Sequence, residues 1–176
     1  MKKLIVLLAI IASIGGSAQD ISEFKKPTPK TVKSTTAPVT RSEARKVLDR
    51  AWTVLAKGLK LPSVSPVVLV GGGEPVTKNE ILTEFARLAN ASAKQFKRSP
   101  RPASFDATRL RKDCDATQLK FLVSKGLVMP LGPLVTGKNG PVSTAEFGDA
   151  VGVLVTRLAD LCHLPSTQYS PNLMPG

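Results

Sequence analysis

The sequence predicts a mainly α-helical fold: two helix–loop–helix repeats packed together, with short strands in the connecting loops. Three observations carry that expectation. Apolar residues recur at helical spacing in four segments, each of those segments opens on a Thr, Ser or Asp that can cap a helix, and one block of residues is written twice. Ala56-Lys57-Gly58-Leu59-Lys60-Leu61-Pro62 is echoed by Ser124-Lys125-Gly126-Leu127-Val128-Met129-Pro130. Each copy leads through a Pro-plus-apolar pair and a Gly-containing turn to Pro75-Val76-Thr77-x-x-Glu80 or Pro141-Val142-Ser143-x-x-Glu146. The offset is 68 residues from Gly58 to Gly126 and 66 from Thr77 to Ser143, so the two loops are read as differing by two residues.

Residues 1–18 read as a signal peptide. Lys2 and Lys3 precede an apolar run from Leu4 to Ile14, and Gly16-Ser17-Ala18 supplies the small residues of a cleavage site. That run is about half of the ~20 residues that span a bilayer. Residues 19–38 hold Pro27, Pro29 and Pro38 with Lys25, Lys26, Lys30 and Lys33. With little to bury, they read as a flexible basic linker.

The first repeat is placed at 39–98. Thr40-Arg41-Ser42-Glu43 is a capping box, and Ala44, Val47, Leu48, Ala51 and Leu55 then make one apolar face. Gly58 is expected to end this helix in the left-handed conformation. In the loop from 61 to 75, Val67–Val70 is expected as a short strand and Gly71-Gly72-Gly73 as a turn. The glycines lack the spacing of a phosphate-binding loop. Thr77-Lys78-Asn79-Glu80 caps the second helix, Val76 can staple onto Ile81, and Phe85, Leu88, Ala89 and Phe96 continue its buried face. Ser99-Pro100-Arg101-Pro102 marks the boundary.

The second repeat is placed at 104–164. Asp115 caps a shorter helix with Leu119, Leu122 and Val123 inward, stopped by Gly126. Ser143 caps the last helix, whose stripe of Phe147, Val151, Leu154, Val155, Leu158 and Leu161 is the strongest in the chain. Residues 165–176 are expected as a disordered tail.

The two cysteines, Cys114 and Cys162, are expected to form a disulfide. In an oxidising compartment an even pair is more often bonded than free, and an antiparallel hairpin of the last two helices would bring them together. Such a bond contributes on the order of 4 kcal/mol. A zinc site built from both cysteines and His163 lacks four-ligand spacing, so neither a metal nor a cofactor is expected. Charge adds a further constraint. With 25 Lys+Arg against 13 Asp+Glu the net charge is +12, and loss of Lys2 and Lys3 would leave 12 − 2 = +10. A cation of this size accumulates at anionic polymers and surfaces. Export, and an aromatic content of 5%, argue against nucleic acid as the partner.

Residues 104 to 162 resemble an S-layer homology domain. The resemblance lies in Phe105-Asp106, a helix ending Leu122-Val123-Ser124-Lys125-Gly126-Leu127-Val128, a Gly/Pro loop, and Val142-Ser143-Thr144-Ala145-Glu146-Phe147. Residues 40 to 96 share it less fully, through the loop and Val76-Thr77-Lys78-Asn79-Glu80. The resemblance implies two divergent modules of a family that packs three together and attaches noncovalently to cell-envelope polysaccharide. The position after the capping residue, basic in that family, is Lys78 in the first unit and Thr144 in the second, while Arg41 follows Thr40 on what reads as a first helix.

The function expected is therefore an exported, non-catalytic envelope module in the periplasm or at the cell surface. It would bind anionic cell-wall polymer through Arg41, Lys78 and the cluster Lys94, Lys97, Arg98 and Arg101, by charge-assisted hydrogen bonds. The alternative is a structural or protein-interaction subunit that binds no polysaccharide and assembles as a homo-oligomer or with a partner module. An enzyme is not expected: one His, one Tyr and no recurring carboxylate pair leave little for acid–base chemistry.

Overall fold

The computed structural model describes residues 36–98 and 106–164. The expected signal peptide, most of the linker, Arg101 and the tail lie outside them. The described residues form four α-helices: α1 (Arg41–Leu59), α2 (Lys78–Ser92), α3 (Ala116–Ser124) and α4 (Thr144–Leu161). Short 3-10 turns follow α2 at Ala93–Gln95 and precede α3 at Ala107–Arg109. No helix among these residues is long and apolar enough to cross a membrane.

The helix starts are those the capping residues predict. Thr40, Thr77 and Ser143 each accept the N–H of the Glu three residues on, and that Glu reaches back to the cap; Asp115 caps α3 through the N–H groups of Thr117 and Gln118. Local hydrogen-bond supply thus decides where each helix begins.

The ends follow a rule that the sequence reading misplaced by two residues in the first unit. Gly58 lies inside α1, and the left-handed residue is Lys60, with φ 54. Leu61 N–H reaches back to Ala56 O at 2.9 Å. The same closure recurs at Gly126 (φ 68), with Leu127 N–H on Leu122 O, and at His163 (φ 58), with Leu164 N–H on Ala159 O. Three helices therefore end in a Schellman motif with an apolar Leu folded back. Pairing Lys60 with Gly126 and Thr77 with Ser143 gives one offset of 66, so the two loops are equal in length.

The order of packing differs from two self-contained hairpins. α3 packs chiefly against α2, and α4 against α1 with a smaller contact to α2. One continuous core results, with Leu48, Leu55, Phe85, Leu88, Leu122, Phe147 and Leu154 fully buried. Trp52 is buried as well and satisfies its indole N–H on Pro62 O at 3.2 Å.

This packing removes the premise of the disulfide. Cys114 lies half-buried ahead of α3, its Sγ 3.7 Å from Arg111 O, and Cys162 is buried at the end of α4; both are free thiols. Because α3 does not lie along α4, hairpin geometry does not bring the two sulfurs to bonding range. The short strands are absent too. At 67–70 Val67 and Leu69 are buried, but no ladder forms among the described residues: Val68 N–H is taken by the Glu84 carboxylate at 3.1 Å and Leu69 O by Arg45 at 3.0 Å.

Candidate functional site

The three capping boxes meet at one place. Val39 donates its N–H to Val142 O (2.9 Å), Val142 to Val76 O (3.2 Å) and Val76 to Val39 O (2.9 Å), closing a ring of three backbone hydrogen bonds. A second ring encloses it: Arg41 N–H on Glu74 O, Lys78 N–H on Gly140 O and Thr144 N–H on Ala37 O, at 2.9, 3.0 and 2.8 Å. Each cap residue thereby bridges the proline of the next copy, as Thr40↔Pro75, Thr77↔Pro141 and Ser143↔Pro38. The valines are 2%, 0% and 1% exposed, so the ring is dry, and a ring of paired amides is what a dry site requires.

The sequence signal for this junction was present in triplicate. Pro38-Val39-Thr40-x-x-Glu43 matches Pro75-Val76-Thr77-x-x-Glu80 and Pro141-Val142-Ser143-x-x-Glu146 residue for residue in type. Reading Thr40 as the cap of a first helix hid the third copy. The ring also takes in Ala37 and Pro38, two residues that read as linker.

The junction uses up the N-termini of α1 and α2. In α2, Lys78 N–H goes to Gly140 O, Asn79 N–H to Asn139 Oδ1, Glu80 N–H to Thr77 Oγ1 and Ile81 N–H to Thr77 O. The four orphan donors of α1 are met in the same way, by Glu74 O, Gly72 O, Thr40 Oγ1 and Thr40 O. Backbone anion binding at these starts is thus already satisfied internally. An anion at the start of α1 or α2 must be recognised by side chains.

Those side chains are the residues after the caps, and each faces the next copy. Arg41 Nε donates to Glu80 Oε1 at 2.8 Å, and its Nη1 pairs with Glu74. Lys78 Nζ donates to Thr136 O at 3.3 Å and lies near enough to Glu146 to stabilise its charge. Thr144 Oγ1 donates to Ala37 O at 3.0 Å. The Arg41 side chain is 32% exposed and its partner Glu74 75%, so one face of the guanidinium is wet and one of its acceptors is free to swing away. Burial pushes the Glu80 carboxyl up, yet the Thr77 N–H and hydroxyl and the Arg41 guanidinium outweigh it and hold Glu80 below its ordinary value. Glu146 is lowered by the Ser143 N–H and hydroxyl, against some burial, with help from Lys78.

No family model, curated protein or solved structure matches this chain.

The remaining predicted cations lie elsewhere. Lys94 sits on the 3-10 turn after α2, and Lys97 and Arg98 follow it. They are at the far end of α2 from Lys78, roughly 20 Å away at 1.5 Å per residue. Lys97 and Arg98 donate their N–H groups to Leu161 O at 2.8 and 3.2 Å, and Arg98 bonds Asp160 Oδ1 at 2.9 Å and His163 Nε2 at 3.0 Å. This pair closes the end of α4. Arg41 and Lys78 share a site; Lys94, Lys97 and Arg98 do not belong to it.

Sequence reasoning missed a polar network beside Lys78. Arg111 is buried to its guanidinium, with Nε on Asp113 Oδ1 (2.8 Å), Nη1 on Leu134 O (3.4 Å) and Nη2 on Asn79 Oδ1 (2.6 Å). Asp113 also accepts the Asn139 N–H, which with the Arg111 contact holds its carboxyl below the usual range. These four residues come from three separate loops and helix starts, so no local periodicity announces them. Their effect is to fix the loop that carries Thr136 and Asn139 against the start of α2.

Proposed function

We propose that this chain is a non-catalytic envelope module, akin to S-layer homology domains, that binds anionic cell-wall polysaccharide at the three-way junction through Arg41 and Lys78. The observation that carries the reading is the ring of three equivalent capping boxes. The family resemblance implies three modules packed together, and three equivalent helix starts supply that arrangement within one chain. Two of the three positions after the caps hold cations, and both keep unused donors: a guanidinium has five N–H groups and an ammonium three. A carboxylate or phosphate of the polymer would replace Glu74 on Arg41 and share Lys78 with Thr136 O, gaining charge-assisted hydrogen bonds. Exported localisation belongs to the same proposal. Lys94, Lys97 and Arg98 add to the long-range attraction of an anionic wall but not to the site.

The test is retention of the purified chain on wall polysaccharide fractions across a salt series. Wild type should stay bound at moderate ionic strength, where diffuse attraction of exposed charges is screened. Lys78→Ala should lower retention about tenfold and Lys78→Arg should keep most of it. Release of wild type together with any generic basic protein as salt rises would overturn the proposal.

A further inference from the structure

The outer face of α4 carries a groove that nothing in the described chain covers. It holds about 660 Å³ between the loop residues Met129 and Pro130 and the helix residues Gly148, Gly152 and Thr156. A smaller apolar cavity of about 140 Å³, lined by Val128, Leu134, Ala150 and Val153, continues it beneath the loop. Met129 and Leu131 stand at its lip, 62% and 68% exposed. Two opposite charges line the same groove, Asp149 and Arg157. Among the described residues neither side chain has a hydrogen bond or ion pair, although the other acidic groups there are engaged.

The placement of the two charges selects the occupant. Asp149 and Arg157 lie four residues to either side of Val153. Residues four apart share one ridge of a helix, so Asp149, Val153 and Arg157 form a line with opposite charges at its ends, each roughly 6 Å along the axis from its centre. A twofold rotation about Val153 exchanges those ends. Asp149 of one copy then meets Arg157 of the other, twice over, while Gly148 and Gly152 let the helix backbones approach closely. We propose that this groove is a twofold interface in which α4 of a second copy of this chain lies antiparallel across α4, centred on Val153. The proposal stands apart from polymer binding, because its residues are not those of the junction. The net charge of +12 opposes association of two copies at long range, so the local pairing of Asp149 with Arg157 sets the register at contact.

Sedimentation equilibrium of the full chain at about 100 µM, where a micromolar Kd is read as dimer, tests this. Asp149→Arg places arginine against arginine across the twofold, and Arg157→Asp places aspartate against aspartate. Each variant alone should dimerise about tenfold more weakly than wild type or worse. Mixed in equal amounts, the two should form a heterodimer with near wild-type affinity, because both contacts are complementary again. The chain carrying both substitutions should also dimerise. Both substituted positions are exposed, and circular dichroism checks that each variant is folded. A wild type that remains monomeric, a dimer indifferent to either substitution, or a mixture that stays monomeric would each overturn the interface.

Discussion

Glu84 differs from the other helix carboxylates in one respect. Glu80 and Glu146 are capping residues held below their ordinary value of 4.5, whereas Glu84, 3% exposed in the interior of α2, is raised. Burial is the main cause, and the Val68 N–H, Arg87 and Arg45 only partly offset it. The signs therefore oppose. A lowered carboxyl stabilises the fold above the unfolded value and loses that contribution as pH falls through its folded value; a raised one weighs against the fold when charged and is relieved as it protonates. Stability should rise slightly from neutral pH down toward 4.5 as Glu84 takes up its proton, then fall below that point as Glu80 and Glu146 are neutralised. Glu84→Gln, which keeps an acceptor for the Val68 N–H, should abolish the rise and spare the acid-side loss. Urea midpoints measured across pH for both proteins would show it; an unchanged rise in the variant would assign the effect to another group.

Among the elements, the helix ends discriminate most sharply between residue types. Lys60 and His163 hold the left-handed conformation that Gly126 holds in α3. A side chain there costs about 1 kcal/mol relative to glycine. Lys60→Gly should therefore stabilise by about 0.5–1 kcal/mol, and His163→Gly by less, because it also removes the acceptor of the Arg98 Nε–H. Gly126→Ala should cost about 1 kcal/mol, even though an added Cβ would find only the Arg157 side chain at 3.9 Å. Thermal denaturation of the three variants checks both signs. The starts of α1, α2 and α4 were legible because a cap, its Glu and the first apolar residues lie within one turn, and that of α3 because Asp115 stands just ahead of Leu119. The end of α1 was not, because Gly58 is the residue a local rule selects while the packing of Leu61 determines where the chain leaves the helix. The cysteine pairing failed for a related reason: adjacency in sequence suggested an α3–α4 hairpin, but α3 finds its larger apolar partner in α2.

For the whole molecule, the decisive object is the ring of Val39, Val76 and Val142. The molecule's mainly helical class and its core residues follow from periodicity, since the predicted stripe residues are the buried ones except Phe96, which lies beyond the end of α2 and is only partly buried. The arrangement around a common axis does not follow, because it depends on contacts among residues far apart in sequence. Truncating any one valine removes two methyl groups from a dry site and should cost about 2–3 kcal/mol. The three losses should be alike, as three equivalent positions require. Val68→Ala and Val70→Ala, at residues 54% and 75% exposed, should change stability by less than about 0.5 kcal/mol. Chemical denaturation of the five variants makes the comparison. A negligible cost at Val39 alone would return residues 36–40 to the status of a linker.

That closure also dictates an order of events during synthesis. Thr144 donates its hydroxyl to the carbonyl of Ala37, 107 positions earlier. A nascent chain emerging from its amino end therefore exposes the Val39 N–H and the Ala37 carbonyl, whose partners are Val142 and Thr144, long before the start of α4 leaves the ribosome. Contacts of such separation are slow to form and leave apolar surface open in the interval. The early part of this protein waits, adhesive and unfinished, for the last helix to arrive.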